Sequence, residues 1–199
     1  MLIDRFKDIR IVLGSQSPRR KELLKKVGLD FEVVVKETDE RFDADQSPEA
    51  IVESIALKKL LSFDVSSFGE ALVITADTVV VHDGRILGKP QHAREAFQML
   101  HRLQGASHQV LTAVALRYRG QTHTFVEETT VELYALSDDE ILFYIDNCRP
   151  FDKAGSYGIQ EWIGLIGVKA ITGSYENVVG LPVARLYQEI KRLLGNPTV

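Results

Sequence analysis

The sequence is poor in the residues that build disulfide frameworks, zinc clusters and membrane spans. Its 199 residues include one cysteine, Cys148, which excludes an internal disulfide and a cysteine-based zinc cluster. No apolar run reaches the roughly 18 residues that a transmembrane helix needs, so we expect no membrane partner. The segment Met1–Arg10 is too charged for a secretory signal. These absences together predict a cytoplasmic protein.

A basic surplus is also missing. The net charge is −4 at pH 7, whereas proteins that bind duplex DNA usually carry an excess of lysine and arginine. We therefore expect no nucleic-acid partner. What is present is ordinary globular composition, with 45% hydrophobic and 26% charged residues, which excludes disorder throughout the chain. A folded chain of this length buries about 70% of its unfolded surface, which is enough for a hydrophobic core.

The small net charge conceals two oppositely charged runs. Between Arg10 and Lys26 there are six basic residues and one acid, and between Glu37 and Glu53 there are seven acids and one base. Most of these side chains are expected to lie in solvent. Metal-assisted phosphate chemistry, however, needs cationic groups for the phosphates and carboxylates for the metal. The two runs are therefore also compatible with a phosphate site.

Local signals predict a mixed α/β fold. Ser17-Pro18 and Ser47-Pro48 each combine an N-cap with a proline at the first helical position, and Asp83-Gly84 is typical of a hairpin turn. The predicted strands are Ile9–Gly14, Phe31–Val35, Ala71–Val81, Arg85–Leu87, Gln109–Tyr118, His123–Leu133 and Val168–Ile171. The predicted helices run from Ser17 to about Val27, Ser47 to about Phe63, Ala93 to Leu103, Ser137 to about Asn147, and Pro182 to Leu194. Because hairpins interrupt the alternation of helices and strands, we expect a mixed sheet in a single domain over residues 1–199.

The first candidate site is the segment Gly14–Arg20. A strand ends there and a helix begins with Arg19 and Arg20 in its first turn. A helix N-terminus attracts anions, and cationic side chains in the first turn oppose the helix dipole unless an anion lies there. The segment predicts either a phosphate-binding helix start or an ordinary capped helix with surface arginines. It is not a P-loop, because the pattern G-x-x-x-x-G-K-[ST] is absent.

Asp77 and Lys59 are polar residues in apolar surroundings. Asp77 interrupts the strand Ala71–Val81, where an unpaired buried carboxylate would be costly. It must be paired, bound to a metal, or placed at a strand end that faces a cleft. Val79 excludes a haloacid-dehalogenase nucleophile, which requires a second aspartate at that position. Lys59 falls in the apolar stripe of its helix, so it either extends to solvent or points toward a ligand such as phosphate.

Two glycine-containing segments complete the candidates. Gly88-Lys89-Pro90 places a lysine rigidly after the hairpin, which suits either a surface lysine or a phosphate contact. The loop Lys153–Gln160 contains two glycines, which allow close backbone approach to a ligand. The amide of Gln160 can donate and accept hydrogen bonds at once. An ordinary flexible loop is the alternative interpretation.

Taken together, these segments resemble the Maf family of nucleoside triphosphate pyrophosphatases from Ile11 to about Leu193. The matching segments, in chain order, are SQSPRRKELL, ALKKL, ITADTVVV, GKP, LTAVAL, DKAGSYGIQ and ITGSYENVVGLP. The resemblance implies a mixed twisted sheet flanked by helices, with two lobes around a central cleft. It also implies hydrolysis of a nucleoside triphosphate substrate to the monophosphate and pyrophosphate, with a divalent cation such as Mg²⁺ or Mn²⁺ as cofactor.

The resemblance also implies roles for individual residues. Asp77 matches the general base and, with Glu40, a metal ligand, while Glu37 and Asp39 stay open as alternatives to Glu40. The residues expected on the phosphate side are Ser15, Arg20, Lys59 and Lys89. The residues expected to determine substrate choice are Arg19, Thr78 and Gln160.

Arg19 and Gln160 are typical of the family branch that acts on dTTP and UTP. Two positions depart from the family's pattern, because Thr75 and Glu161 stand where glycine is common.

Three other interpretations stay open. The same chemistry could act on modified pyrimidine or non-standard purine triphosphates. The protein could instead be a nucleotide-binding regulator of septum formation and cell division, which would not need Asp77 for catalysis. A nucleic-acid binder using Arg10–Lys26 is disfavoured by the net charge and by the lack of an aromatic platform beside that run. The sequence leaves a homodimer open.

Overall fold

The computed structural model describes residues 8–43 and 45–195 and has a mixed α/β fold. The strands in this part of the chain are β1 (Ile11–Leu13), β2 (Glu32–Val33), β3 (Leu72–His82), β4 (Arg85–Leu87), β5 (Ser107–Tyr118), β6 (Gln121–Leu133) and β7 (Val168–Thr172). The helices are α1 (Pro18–Lys26), α2 (Pro48–Leu61), α3 (Val65–Phe68), α4 (Ala93–Leu103), α5 (Asp138–Cys148), α6 (Trp162–Gly167), α7 (Tyr175–Val179) and α8 (Val183–Leu193).

The sheet contains both parallel and antiparallel pairs. Its strand order is β2-β1-β3-β5-β6-β7, and β4 pairs with β3 outside this path. Strand β1 is parallel to β2 and to β3, whereas β4 is antiparallel to β3 and β7 is antiparallel to β6. The prediction of a mixed α/β fold with a mixed sheet is confirmed.

The helix starts and the hairpin have the predicted local chemistry. Ser17 and Ser47 are N-caps whose side chains accept hydrogen bonds from Arg20 N and Ala50 N, and each is followed by proline. Ser137 forms a reciprocal capping box with the third residue of α5. Asp83 and Gly84 have φ values of 50° and 70°, as a two-residue turn between β3 and β4 requires.

Some elements differ from the prediction. Helices α3, α6 and α7 were not expected, and each is six residues or shorter. Helices of this length owe their stability to tertiary packing and leave little periodic signal in the sequence. Strand β2 covers two residues, whereas the apolar run Phe31–Val35 predicted five. Both residues of β2 are exposed, so this run does not form a buried strand.

The contacts divide the chain into two compact units. Unit 1 consists of Met1–Asp77, Thr112–Glu127 and Gly180–Val199, and unit 2 consists of Thr78–Leu111 and Glu128–Val179. That residues 1–199 act as a single domain stays a prediction. None of the helices in the described ranges is long and apolar enough to cross a membrane.

In unit 1, Thr75 attaches α2 to β3. Thr75 is fully buried, and its Oγ1 donates a hydrogen bond to the carbonyl oxygen of Ala56 at 2.8 Å. Its methyl group lies over Gly14, where an added Cβ would come within 2.7 Å of it. The threonine therefore fills space that a glycine at position 75 would leave empty. Its hydrogen bond also attaches α2 to β3 at a point two residues before Asp77.

Candidate active site

Asp77 and Thr78 interrupt the buried residues of β3, since Val79–Val81 are buried again. Residues 71–76 are buried, and Asp77 is partly exposed. The Nζ atom of Lys59 lies 2.8 Å from Asp77 Oδ1 and 2.8 Å from Glu40 Oε1, so one ammonium bridges two carboxylates. The side chains of Lys59 and Asp77 are only 17% and 16% exposed, whereas that of Glu40 is 54% exposed. The cluster is therefore open to solvent mainly at Glu40.

Lys59 and its neighbour Lys58 have different environments. Helix α2 buries Ile55, Ala56 and Leu60, and Lys59 beside this stripe turns its ammonium to the carboxylates rather than to solvent. Lys58 is exposed and donates a hydrogen bond to the carbonyl oxygen of Arg41 at 2.7 Å. Of the two alternatives for Lys59, the structure therefore favours the one in which it faces a polar site.

Arg20 is held against the same strand from the first turn of α1. Its Nη1 donates hydrogen bonds to the carbonyl oxygen of Ala76 at 3.0 Å and to Ser15 Oγ at 3.3 Å. Its Nε donates to the carbonyl oxygen of Gly180 at 2.8 Å. These three oxygens offset the unfavourable interaction of the arginine with the helix dipole. A bound anion is therefore not required to explain why an arginine lies at this helix start.

The four charged groups of this cluster influence one another. Burial lowers the pKa of the Arg20 guanidinium, while the charges of Asp77 and Glu40 act in the opposite direction. With Lys59, the cluster contains two cations and two carboxylates within unit 1. One member from each charged run of the sequence, Arg20 and Glu40, therefore takes part in it.

The carboxylates of this cluster fit a divalent cation that also binds substrate. No group of three or more His, Cys, Asp or Glu side chains that could hold a metal ion occurs among residues 8–43 and 45–195. Magnesium, however, is usually held by one or two carboxylates together with water and substrate phosphates. Asp77 and Glu40 form such a pair, and no described residue donates a hydrogen bond to Asp77 Oδ2.

The geometry favours Glu40 among the three acids that the sequence left open. Asp39 is engaged by Arg41, whose Nε lies 2.9 Å from Oδ1 and whose Nη2 lies 2.6 Å from Oδ2. These hydrogen bonds hold the pKa of Asp39 below its ordinary value. Glu37 is exposed, whereas Glu40 contacts Lys59.

The remaining predicted residues lie in unit 2, apart from Arg19, which is partly exposed beside Arg20 in α1. Thr78 is partly exposed in β3, and Lys89 is exposed after β4 between Gly88 and the buried Pro90. The carbonyl oxygen of Gly88 accepts a hydrogen bond from Gly155 N at 3.0 Å. The backbone next to Lys89 is therefore attached to the loop that carries Gln160.

The loop before Gln160 is buried and anchored. Residues 155–159 are buried, and Gln160 is the first exposed residue after them. Gly155 has a φ of 66°, and an added Cβ would lie 2.8 Å from Val80 Cγ2, so only glycine fits there. Tyr157 Oη lies 2.6 Å from His108 Nε2. This loop is not the flexible surface segment that its glycines could have indicated.

Two polar contacts of this loop were not predicted from the sequence. Tyr144 on α5 donates a hydrogen bond from its hydroxyl to the Glu161 carboxylate and accepts one from Gly158 N at 3.0 Å. Lys153 Nζ lies 3.0 Å from Glu161 Oε1. The signal that could have revealed Tyr144 is its position on the buried face of α5, because a buried tyrosine hydroxyl usually has a polar partner.

Comparison with known proteins identifies the family. A family model described as Maf-like protein matches residues 10–193. A Bacteroides fragilis protein named dTTP/UTP pyrophosphatase is 46% identical over 192 residues, which cover 96% of this chain and 98% of that protein. Proteins of the same name from Porphyromonas gingivalis and Flavobacterium psychrophilum are 46% and 44% identical, covering 96% and 94% of this chain and 97% and 96% of their own lengths.

A solved structure, the Staphylococcus aureus Ham1 protein, is 18% identical with a TM-score of 0.49, and the match covers 90% of this chain and 99% of that chain. The family assignment does not depend on this likeness. The family model spans most of the chain, and relatives that match over nearly their whole length are 44% or more identical. The resemblance seen in the sequence is confirmed, and the chain belongs to the Maf family.

Proposed function

We propose that this protein hydrolyses dTTP and UTP to the nucleoside monophosphate and pyrophosphate. The observation that carries the proposal is the Lys59 ammonium bridging Asp77 and Glu40, with the Arg20 guanidinium held beside them. Such a cluster offers cations to phosphate oxygens and carboxylates to a metal ion and to a proton. The names of the relatives support the choice of substrate.

Asp77 is the proposed general base. Lys59 holds its Oδ1, while Oδ2 has no donor among the described residues and can accept a proton. A water molecule attacks the α-phosphorus and gives its proton to Asp77, and the bond from that phosphorus to the bridging oxygen breaks. Both electrons of that bond leave with pyrophosphate, and the water oxygen stays in the monophosphate.

Arg20, Lys59 and Lys89, with Ser15, are proposed to stabilise the pyrophosphate leaving group. Negative charge grows on this group as the bond breaks, and fixed cations stabilise it most in the transition state. Arg20 suits this role because three oxygen acceptors already orient its guanidinium. It therefore requires little reorganisation when the substrate binds.

The family relationship supports a divalent cation as cofactor, and Asp77 and Glu40 are the residues proposed to hold it. When bound, Mg²⁺ or Mn²⁺ would act as a Lewis acid and neutralise part of the triphosphate charge. The Lys59 ammonium would keep the carboxylates of Asp77 and Glu40 close together. Without the positive charges of the lysine and the cation, the two carboxylates and the triphosphate would repel one another.

Gln160 is proposed to recognise the base, with Arg19 and Thr78 contributing to substrate choice. Uracil and thymine present an N3–H donor beside carbonyl acceptors, and one carboxamide can match both kinds of group. Cytosine presents the reverse pattern, which a rotated amide would match. Selectivity therefore requires that the protein hold the amide of Gln160 in one orientation.

The proposal is tested by measuring pyrophosphate release from dTTP, UTP, CTP and GTP with Mg²⁺ or Mn²⁺. We expect equal amounts of monophosphate and pyrophosphate, with dTTP and UTP as the fastest substrates. Asp77→Asn should reduce turnover by about 1,000-fold because the proton acceptor is lost. The matched control is Asp30→Asn, which changes an exposed aspartate of unit 1 and should leave turnover unchanged.

Two outcomes would contradict the proposal. Substantial turnover by folded Asp77→Asn would remove Asp77 from the role of base. Tight nucleotide binding by the wild type without pyrophosphate release would instead favour the nucleotide-binding regulator.

A further inference from the structure

A single tyrosine hydroxyl in unit 2 contacts the chain on both sides of Gln160. Tyr144 Oη accepts a hydrogen bond from Gly158 N, two residues before Gln160, and donates one to the carboxylate of Glu161, the next residue. Tyr144 itself is fully buried on α5. The two hydrogen bonds of Tyr144 therefore connect the backbone around the exposed Gln160 to helix α5 in the core of unit 2.

The backbone between these two contacts forms a tight turn. Glu161 N donates a hydrogen bond to the carbonyl oxygen of Gly158 at 2.9 Å, which places Gln160 at the third position of the turn. An added Cβ on Gly158 would lie 3.0 Å from Gln160 Nε2 and 2.9 Å from Glu161 Cδ. The amide of Gln160 therefore lies against the backbone that Tyr144 holds.

The Glu161 carboxylate is fixed through both of its oxygens. Oε2 accepts the Tyr144 hydroxyl, and Oε1 lies 3.0 Å from Lys153 Nζ, whose side chain is only 8% exposed. Lys153 also contacts Asp152 Oδ1 at 2.8 Å. Because the lysine and the tyrosine are buried, alternative positions of the carboxylate would leave polar groups unsatisfied, and the loop is held in one conformation.

We propose that Tyr144 is a positioning residue for nucleotide selectivity: through Gly158 and Glu161 it holds the Gln160 amide in the orientation that matches uracil and thymine rather than cytosine. This inference rests on the proposed role of Gln160 in base recognition. Tyr144 does not contact the substrate in this mechanism. Its loss should therefore change the choice between UTP and CTP more than the rate of the chemical step.

The experiment compares kcat and KM for UTP and CTP in Tyr144→Phe, Gln160→Ala and the double variant. Tyr144→Phe keeps the aromatic ring and should lower the ratio of kcat/KM for UTP over CTP by about tenfold, mainly through a higher KM for UTP. In the Gln160→Ala background the same change should have no further effect on this ratio, because the residue that Tyr144 positions is already gone.

The matched control is Ser137→Ala. It removes the capping box at the start of α5, the helix that carries Tyr144, and should lower Tm without touching the hydroxyl contacts. We expect its ratio for UTP over CTP to equal that of the wild type. Glu161→Gln removes the charge at the other end of the same link and should also lower the ratio. It tests the inference even if Tyr144→Phe does not fold.

The outcomes separate this inference from the proposed function. If Gln160→Ala lowers the ratio but folded Tyr144→Phe and Glu161→Gln do not, the positioning role is wrong and base recognition by Gln160 stands. Independent, multiplying losses in the double variant would also overturn the positioning role. If Gln160→Ala leaves the ratio unchanged, both this inference and the role of Gln160 are wrong. If the wild type itself releases no pyrophosphate, the proposed function is wrong.

Discussion

The free energy of unfolding should depend on pH through His108. This residue of β5 is 3% exposed, and its Nε2 lies 2.6 Å from Tyr157 Oη. Burial, with a smaller contribution from His82, lowers the pKa of His108 from 6.5 to about 4. In the unfolded chain the same imidazole takes up a proton near its ordinary pKa of about 6.5.

The sign of the effect follows from these two values. Between about pH 6.5 and pH 4 the unfolded chain binds a proton on His108 that the folded protein does not bind. The free energy of unfolding is therefore unaffected by His108 above about pH 6.5. Through this residue alone it decreases by about 3 kcal/mol as the pH drops to about 4. The loss affects the anchored loop directly, since Tyr157 belongs to it.

Urea unfolding at several pH values between about 7.5 and 4 measures this contribution. The wild type is compared with His108→Gln, which keeps a polar group near Tyr157 but does not titrate. Acidic groups change the free energy of unfolding of both proteins alike. The difference between the two plots of this free energy against pH therefore isolates the contribution of His108. His101→Gln removes an exposed histidine as a control. Parallel pH profiles for the wild type and His108→Gln would refute the reasoning.

Three further predictions concern the site and its loop. Lys59→Met should lower kcat/KM for dTTP by about 100-fold in the pyrophosphate-release assay, because Asp77 loses the ammonium at 2.8 Å; near-normal activity would contradict its role. Gly155→Ala should lower the free energy of unfolding by about 2 kcal/mol more than Gly84→Ala. Both glycines have positive φ, but only at Gly155 does a Cβ meet Val80, so equal losses in urea unfolding would show that the contact does not matter. Treatment with EDTA should abolish pyrophosphate release and added Mg²⁺ or Mn²⁺ should restore it; activity that survives thorough chelation would reject the metal-dependent mechanism.

The elements that the sequence predicted well are those with local signals. Helices α1 and α2 begin at Ser-Pro pairs, and the β3–β4 hairpin has the Asp-Gly dipeptide that its turn conformation requires. The missed helices are too short to show a helical period, although Asp64 caps α3. Helix α6 has six residues, two of them glycine, and no side-chain cap, so its existence depends on contacts that are distant in sequence.

The candidate site could be proposed from the sequence as a set of residue types but not as an arrangement. Asp77 stood out because a carboxylate within an apolar strand requires a partner. Periodicity placed Lys59 inside an apolar stripe, yet it could not show that its ammonium reaches both Asp77 and Glu40. That geometry depends on the packing of α2 against β3, which Thr75 secures through a hydrogen bond between side chain and backbone. Such long-range contacts have no local signature.

The two charged runs of the sequence meet through individual residues rather than as surfaces. Lys26 and Glu22 form a pair whose side chains are each 68% exposed, and exposed pairs of this kind contribute little to stability. Asp39 is likewise paired with a neighbour within its own run. Among the described residues, Arg20 and Glu40 are the members of the two runs seen in the cluster around Lys59 and Asp77, where the low exposure of Lys59 and Asp77 strengthens the interaction between them. The proposed chemistry therefore uses individual members of the two runs, Arg20 and Glu40 in this cluster and Arg19 in substrate choice, rather than the runs as whole surfaces.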